Sequence, residues 1–212
     1  MRVSERSIWC LALSLLLLEG TRPAGQELID RVVARVEGQA ITLADARAML
    51  GLGLVDVNHD DDPIASAIRQ LIDRNLLLAE VGRVSPAEPD PASVEKEVVT
   101  LRSRAGAQLQ ALSQSTGLDD QRIEEIARDN LRIQAYLNQR FGASIQASQD
   151  EVAQYYRAHL DEFQRNGQPM PFENVETAAR QKASAERRKA VIAQWLGDLR
   201  RRADVVELYK KP

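Results

Sequence analysis

Side chains that do chemistry are scarce in this chain. Its 212 residues include one cysteine, Cys10, and two histidines, His59 and His159. A single thiol makes no intramolecular disulfide. Two imidazoles starve most acid–base mechanisms and most transition-metal sites. Aromatic residues make up 4% of the chain, so a core must be filled mainly by aliphatic side chains. No phosphate-cradling glycine loop, C-x-x-C or H-E-x-x-H occurs. The formal net charge of −3 gives no general attraction to nucleic acid. No catalytic, cofactor-binding or metal-ligating residue is assigned from the sequence, and no cofactor is expected.

Hydrophobic residues make up 44%, enough for one domain with a real core. The longest apolar run, Ile8 to Leu18, follows Arg2 and Arg6 and is short for a bilayer span. Residues 1–24 therefore read as a secretory signal, with an exit at Thr21-Arg22-Pro23-Ala24-Gly25. Arg22 is a poor residue so close to the cut, and a retained membrane anchor is the rival reading. Cleavage would remove Cys10 along with three arginines and two glutamates, taking the net charge from −3 to −4. No other segment has the length and apolarity to cross a membrane.

The rest of the chain is organised around Asp30–Asp45. Val32, Val33 and Val36 suit a strand, and Glu37-Gly38 suits a tight turn in which glycine accepts positive φ. A second short strand leads to Thr42, which with Asp45 forms a Thr-x-x-Asp version of the capping box and starts a helix. A lone hairpin is marginal and needs a further partner. The only other strand-like run is Asp204–Tyr209 at the far end, so residues 204–209 are expected to close the sheet by pairing with the first strand.

Between these ends the pattern is helical. Asp56–Asp62 is an acidic loop containing His59 that lacks the Gly and distal Glu of an EF-hand; it reads as a solvated approach to a helix. Asp62-Pro63 opens the central helix, with Ile64, Ile68, Leu71, Ile72 and Leu76 on an apolar face broadened by Leu77, Leu78 and Val81. A proline-rich connector, Ser85–Pro91, leads to a helix whose stripe of Val94, Val98 and Leu101 is narrow. Residues 92–117 suit either a projecting helical arm or a packed surface helix. Leu118-Asp119-Asp120 begins a longer helix to Phe141, burying Ile123, Ile126, Ile133, Leu137 and Phe141. Ser148–Glu151 is a full capping box before a helix through Tyr155, Tyr156, Leu160 and Phe163. After a turn-rich break at Arg165–Pro171, a helix over 172–203 should reach about 45 Å at a rise of ~1.5 Å per residue. Its second half is expected to bury Val191, Ile192, Trp195, Leu196 and Leu199. From Thr177 to Ala190 nothing apolar exceeds alanine, which places that stretch in water or along a groove.

Five segments, taken in order, resemble the chaperone core of the SurA-like periplasmic chaperones. They are Asp30–Asp45, Gln70–Leu78, Arg128–Gln134 running into Leu137, Asp150–Tyr156, and the terminal helix-plus-strand Phe172–Leu208. The resemblance spans nearly all of residues 25–212 and implies one mostly helical domain with a small sheet. It also implies an ATP-independent periplasmic holdase whose partners are unfolded outer-membrane or secreted proteins. That family usually carries parvulin-type prolyl isomerase domains between the Tyr-Tyr helix and the terminal helix. Here only Gln164 to Pro171 separate Phe163 from Phe172, far short of a domain of about a hundred residues. Prolyl isomerase activity is thus a disfavoured alternative, and a helical adaptor in an envelope complex is a second one.

The remaining polar landmarks have plain explanations. His159 lies one helical turn from Tyr155 and Glu162, a spacing that suits a general base, but no nucleophile accompanies it. Arg200-Arg201-Arg202 suits the negative end of a helix dipole without any ligand. Tyr155 and Tyr156 must face different sides, one toward the core and one toward a contact surface. Client segments would meet the central helix, the 92–117 segment or the Thr177–Ala190 stretch, or would add to an open strand edge; individual client-binding residues are not assigned.

Overall fold

The structure is a computed structural model that describes residues 30–57, 62–142 and 145–211. The expected signal at 1–24 and His59 lie outside the described residues. The fold is mostly helical with a small sheet. Strand β1 (Val32–Val36) turns at Glu37-Gly38 into β2 (Gln39–Thr42). Both turn residues have positive φ, 49° and 83°, as a two-residue hairpin turn of matching twist requires. Thr42 then caps α1 (Leu43–Gly51). Its hydroxyl accepts from Asp45 N at 3.1 Å, and the Asp45 carboxylate accepts from Thr42 N at 2.9 Å.

Asp62 caps α2 (Pro63–Val84), the central helix, whose Ile68, Ile72 and Val81 are fully buried. Asp90 caps α3 (Pro91–Ala105), and a single 3-10 turn at Gly106–Gln108 leads into α4 (Leu109–Thr116). Asp119 caps α5 (Asp120–Phe141). Of the two arrangements open to residues 92–117, the structure adopts the packed one. Val94, Val98, Leu101 and Ala105 join the main core, with α3 against α5 and α4 against α1. A narrow stripe suffices because α3 packs chiefly on one helix, α5.

The second half begins with α6 (Gln149–Ala158), capped by the Ser148–Glu151 box as expected. The helix stops before Leu160: residues Leu160–Phe163 form a 3-10 turn, and Leu160 is exposed. A small hairpin that the sequence reading missed follows, β3 (Gln164–Arg165) and β4 (Gln168–Pro169), around Asn166-Gly167 with φ of 54° and 78°. Helix α7 (Phe172–Arg202) then runs 31 residues, one fewer than expected.

Most of Thr177–Ala190 is exposed or borders a groove, as expected, but α7 also buries residues there. Its fully covered residues are Val175, Ala179 and Ala183, packed with Val152 and Phe163 in a small core of their own. Alanines there do not signal exposure; they let α6 approach closely. Val191, Ile192, Trp195, Leu196 and Leu199 are only half-buried. Trp195 and Leu196 lie against Leu77, Val81, Ile133 and Tyr136 of α2 and α5, so this half of the helix rests on the main body without being enclosed by it.

The chain closes through β5 (Val205–Glu207), shorter than the expected 204–209. The antiparallel sheet has the order β2-β1-β5, with Val36 opposite Val205 and Ala34 opposite Glu207. Irregular bonds extend the pairing on both sides, from Glu37 N to Asp204 O at 2.9 Å and from Leu208 N and Tyr209 N to Val33 O at 2.9 and 3.1 Å. Tyr209 OH also donates to the Asp62 carboxylate at 3.0 Å, tying the C-terminus to the cap of α2.

Candidate functional site

A crevice runs between α2 and α5, with one mouth beside β2 and α1 and the other beside α3. Two cavities of about 490 and 420 Å³ make it up, and both are bordered by Met49, Leu71 and Arg74. The first opens past Ile41, Leu78 and Ile126, the second past Leu54, Leu77 and Ile133. Helical spacing produces this lining: Leu71, Arg74 and Leu78 are three and four residues apart and share one face of α2.

Arg74 stands where the two cavities meet. Its side chain is 15% exposed. The guanidinium donates to Asn130 Oδ1 at 2.6 Å and to Ile126 O at 3.2 Å, both on α5. Asn130 in turn donates to Glu97 of α3 at 2.9 Å. The chain Arg74–Asn130–Glu97 therefore adds a polar link to the apolar packing of α2, α5 and α3. The Asp129 carboxylate is 3.7 Å from Arg74, an ion contact too long for a hydrogen bond. Burial raises the Asp129 carboxyl above its ordinary value, against the pull of Arg74 and Arg132. Burial likewise lowers the Arg74 guanidinium, with Asp129 opposing. On both partners desolvation outweighs attraction, as expected for charges withdrawn from water without ideal geometry.

A second groove, of about 470 Å³, lies between α6 and the middle of α7 and is lined by Tyr155, His159, Ala183, Ala190 and Val191 among others. His159 borders this groove. It ends α6, its Nδ1 lies 2.9 Å from Tyr155 O, and its ring stacks on Tyr155 at 4.1 Å. The Tyr155 hydroxyl donates to Glu162 at 3.1 Å, and Lys182 donates to the same carboxylate at 2.7 Å. The bond from Lys182 holds Glu162 below its usual range. The two adjacent tyrosines are both half-buried against the same small core, so neither is simply core or surface. Tyr156 packs among Phe163 and Phe172 and donates to Met170 O at 2.6 Å, while Tyr155 faces the groove.

The structure thus brings together two of the three segments that the sequence suggested as walls of a binding surface. The central helix and the 92–117 segment, through Glu97, Arg104, Thr116 and Gly117, border the crevice; the Thr177–Ala190 stretch lines the separate groove. The three arginines at the end of α7 have local partners. Arg200 donates to Asp73 at 2.6 Å and to Arg69 O at 3.0 Å, Arg201 pairs with Asp198, and Arg202 reaches Asp198 O at 3.2 Å. The sequence reading did not single out Arg74, Asp129 or Asn130. The signal was a charge lodged within the apolar face of α2.

Among the described residues, no group of three His, Cys, Asp or Glu side chains is disposed to hold a metal ion, and no helix is long and apolar enough to cross a membrane. No protein-family model matches the chain, and no curated protein matches its sequence.

Proposed function

We propose that this protein is an ATP-independent periplasmic holdase that binds unfolded outer-membrane or secreted polypeptides without catalysing a reaction on them. The observation that carries the reading is the pair of cavities along α2 and α5, in which the partly exposed apolar side chains Leu54, Val55 and Leu78 stand among charged and polar ones. Such a mixed surface suits extended segments of varied sequence, because apolar contact is non-directional and the polar groups can meet a client's backbone. A passive binder must also release its client. Affinities near micromolar, about −8 kcal/mol, are appropriate. The likeness of five ordered sequence segments to SurA-like chaperones lends further support, and the run from Arg2 to Ala24 supports export to the periplasm.

The test is aggregation of an unfolded β-barrel protein diluted from denaturant. The chain from residue 25 onward should suppress light scattering in proportion to its concentration, with no nucleotide added. Unchanged scattering at a several-fold molar excess would overturn the reading. A proline-limited refolding assay runs beside it: acceleration of the slow phase at catalytic amounts would show an isomerase instead.

A further inference from the structure

A third cavity, of about 350 Å³, lies apart from the crevice. It is walled by the β1–β2 turn at Glu37, by α2 at Arg83, by the last turn of α5 at Arg140, and by α7 at Trp195, Leu199 and Arg202. The three α7 residues share one face because they are four and three positions apart. Arg83 comes about two and a half turns after Arg74, so this cavity and the crevice use opposite sides of α2.

Cations outnumber carboxylates here, and the carboxylates are already engaged. Glu80 pairs with Arg83, and the Glu37 carboxylate accepts from Asp204 N at 3.0 Å. Arg202 donates from Nε to Asp198 O at 3.2 Å and has no carboxylate partner among the described residues. Arg140 has no hydrogen-bond acceptor among them at all. Its guanidinium lies over the ring of Trp195 at 4.9 Å and over that of Phe141 at 5.4 Å. Stacking of this kind fixes the plane of a guanidinium and leaves its N–H edge unbonded. The apolar surface beside it is not sealed: Trp195 and Leu199 are half-buried, and Ala79 is exposed. A held cation without an acceptor therefore borders a recess that also offers accessible aromatic and aliphatic contact.

We infer that this cavity binds a carboxylate carried on an apolar client segment, with the carboxylate on the Arg140 fork and the apolar part against Trp195 and Leu199. The inference rests on the holdase reading and adds to it a second client contact with its own chemistry. A planar guanidinium matches a carboxylate by two parallel hydrogen bonds, and Arg202 adds positive charge at the same recess. The chain end and an acidic side chain both present this group. A cationic segment would meet unpaired guanidinium groups and be disfavoured.

The cavity carries its own reporter. Trp9 and Trp195 are the two tryptophans of the chain, so the protein from residue 25 onward emits from Trp195 alone. Its fluorescence is followed as three N-acetylated apolar peptides without tryptophan or tyrosine are added. One ends in a free carboxylate, one is amidated, and one is amidated with a central Glu. At least one of the two carboxylate peptides should bind about fivefold tighter than the plain amide, and the one that gains identifies the source of the carboxylate. The gain should vanish in Arg140→Gln and in ~1 M salt, where screening acts within about 3 Å. Equal binding of all three peptides, an emission that none of them changes, or a gain that survives Arg140→Gln overturns the inference. Each of these leaves the holdase reading standing where suppression of β-barrel aggregation, measured in parallel, persists. A carboxylate preference without suppression sinks the holdase reading and leaves the site. The peptide series on the parent protein decides the question independently of how the variant folds.

Discussion

Glu37 and Asp204 hold each other twice. Glu37 N–H donates to the Asp204 carbonyl at 2.9 Å, and Asp204 N–H donates to the Glu37 carboxylate at 3.0 Å, between residues 167 positions apart. Glu37 is a non-glycine residue at positive φ, a conformation that disfavours side chains with a Cβ. The return bond from Asp204 helps offset that strain and fixes where the chain's end meets its beginning. Deleting Asp204–Pro212 should therefore remove β5, strip cover from Val33 and Val36, and free the Asp62 cap from Tyr209. The expected cost is on the order of 3–5 kcal/mol, read as a lower urea midpoint. An unchanged midpoint would show that the sheet does not need its third strand.

Arg74 offers a second measurement. Replacing it with alanine leaves Asn130 and Asp129 without their partner at a seam bounded by cavities on both sides, and about 2–3 kcal/mol should be lost. Methionine preserves most of the side-chain volume without the buried charge, so Arg74→Met should cost less than half as much. Equal losses for the two variants would mean that the lost polar contacts set the cost there and volume does not.

Much of this architecture was legible in the residues. Thr42/Asp45 and Ser148/Glu151 are reciprocal caps, and Asp62-Pro63 and Asp90-Pro91 are cap-proline pairs. All depend on contacts within three residues, so local sequence specifies them. The meeting of β1 and β5 was legible because a two-stranded hairpin needs a partner and Asp204–Tyr209 was the one other run that read as a strand, Val98-Val99-Thr100 falling within a helical pattern. The alanines of α7 misled for the opposite reason. Ala179 and Ala183 are buried by what approaches them, and nothing in their own segment says that α6 lies there. The β3–β4 hairpin escaped because strands of two residues have no periodicity to detect. The crevice was half legible: the wide apolar face of α2 pointed to it, but Asp129 gains its meaning only from the way α5 crosses Arg74.

Gly142 follows the last turn of α5, and a Cβ placed there would collide with the backbone carbonyl of Asn138. A backbone atom cannot swing aside as a side-chain tip can. Gly142→Ala should cost about 2 kcal/mol or more and loosen the packing of Phe141 on Trp195, whose rings lie 5.2 Å apart. By contrast, a Cβ at Gly82 meets nothing within 4 Å, and alanine favours a helix interior. Gly82→Ala should therefore be neutral or stabilising by up to ~1 kcal/mol. Thermal melts of the two variants side by side would test the contrast, and a similar fall in both would refute it.

An Asp129→Asn variant makes a prediction about pH. Burial holds the Asp129 carboxyl above its ordinary value, so the folded protein binds that proton more tightly than the unfolded chain does. The contribution of such a group is fully favourable in acid and declines as pH rises from the unfolded aspartate value, ~3.9, through the higher folded value. Asparagine carries no charge and escapes the penalty. The variant and the parent should match near pH 3.5, and the variant should be the more stable at pH 7. The side chain keeps contact with water, so the difference should stay below about 1 kcal/mol. Urea midpoints at the two pH values measure it. If the variant were less stable at neutral pH and recovered in acid, the attraction of Arg74 would outweigh burial. The carboxylate would then be an anchor of the fold.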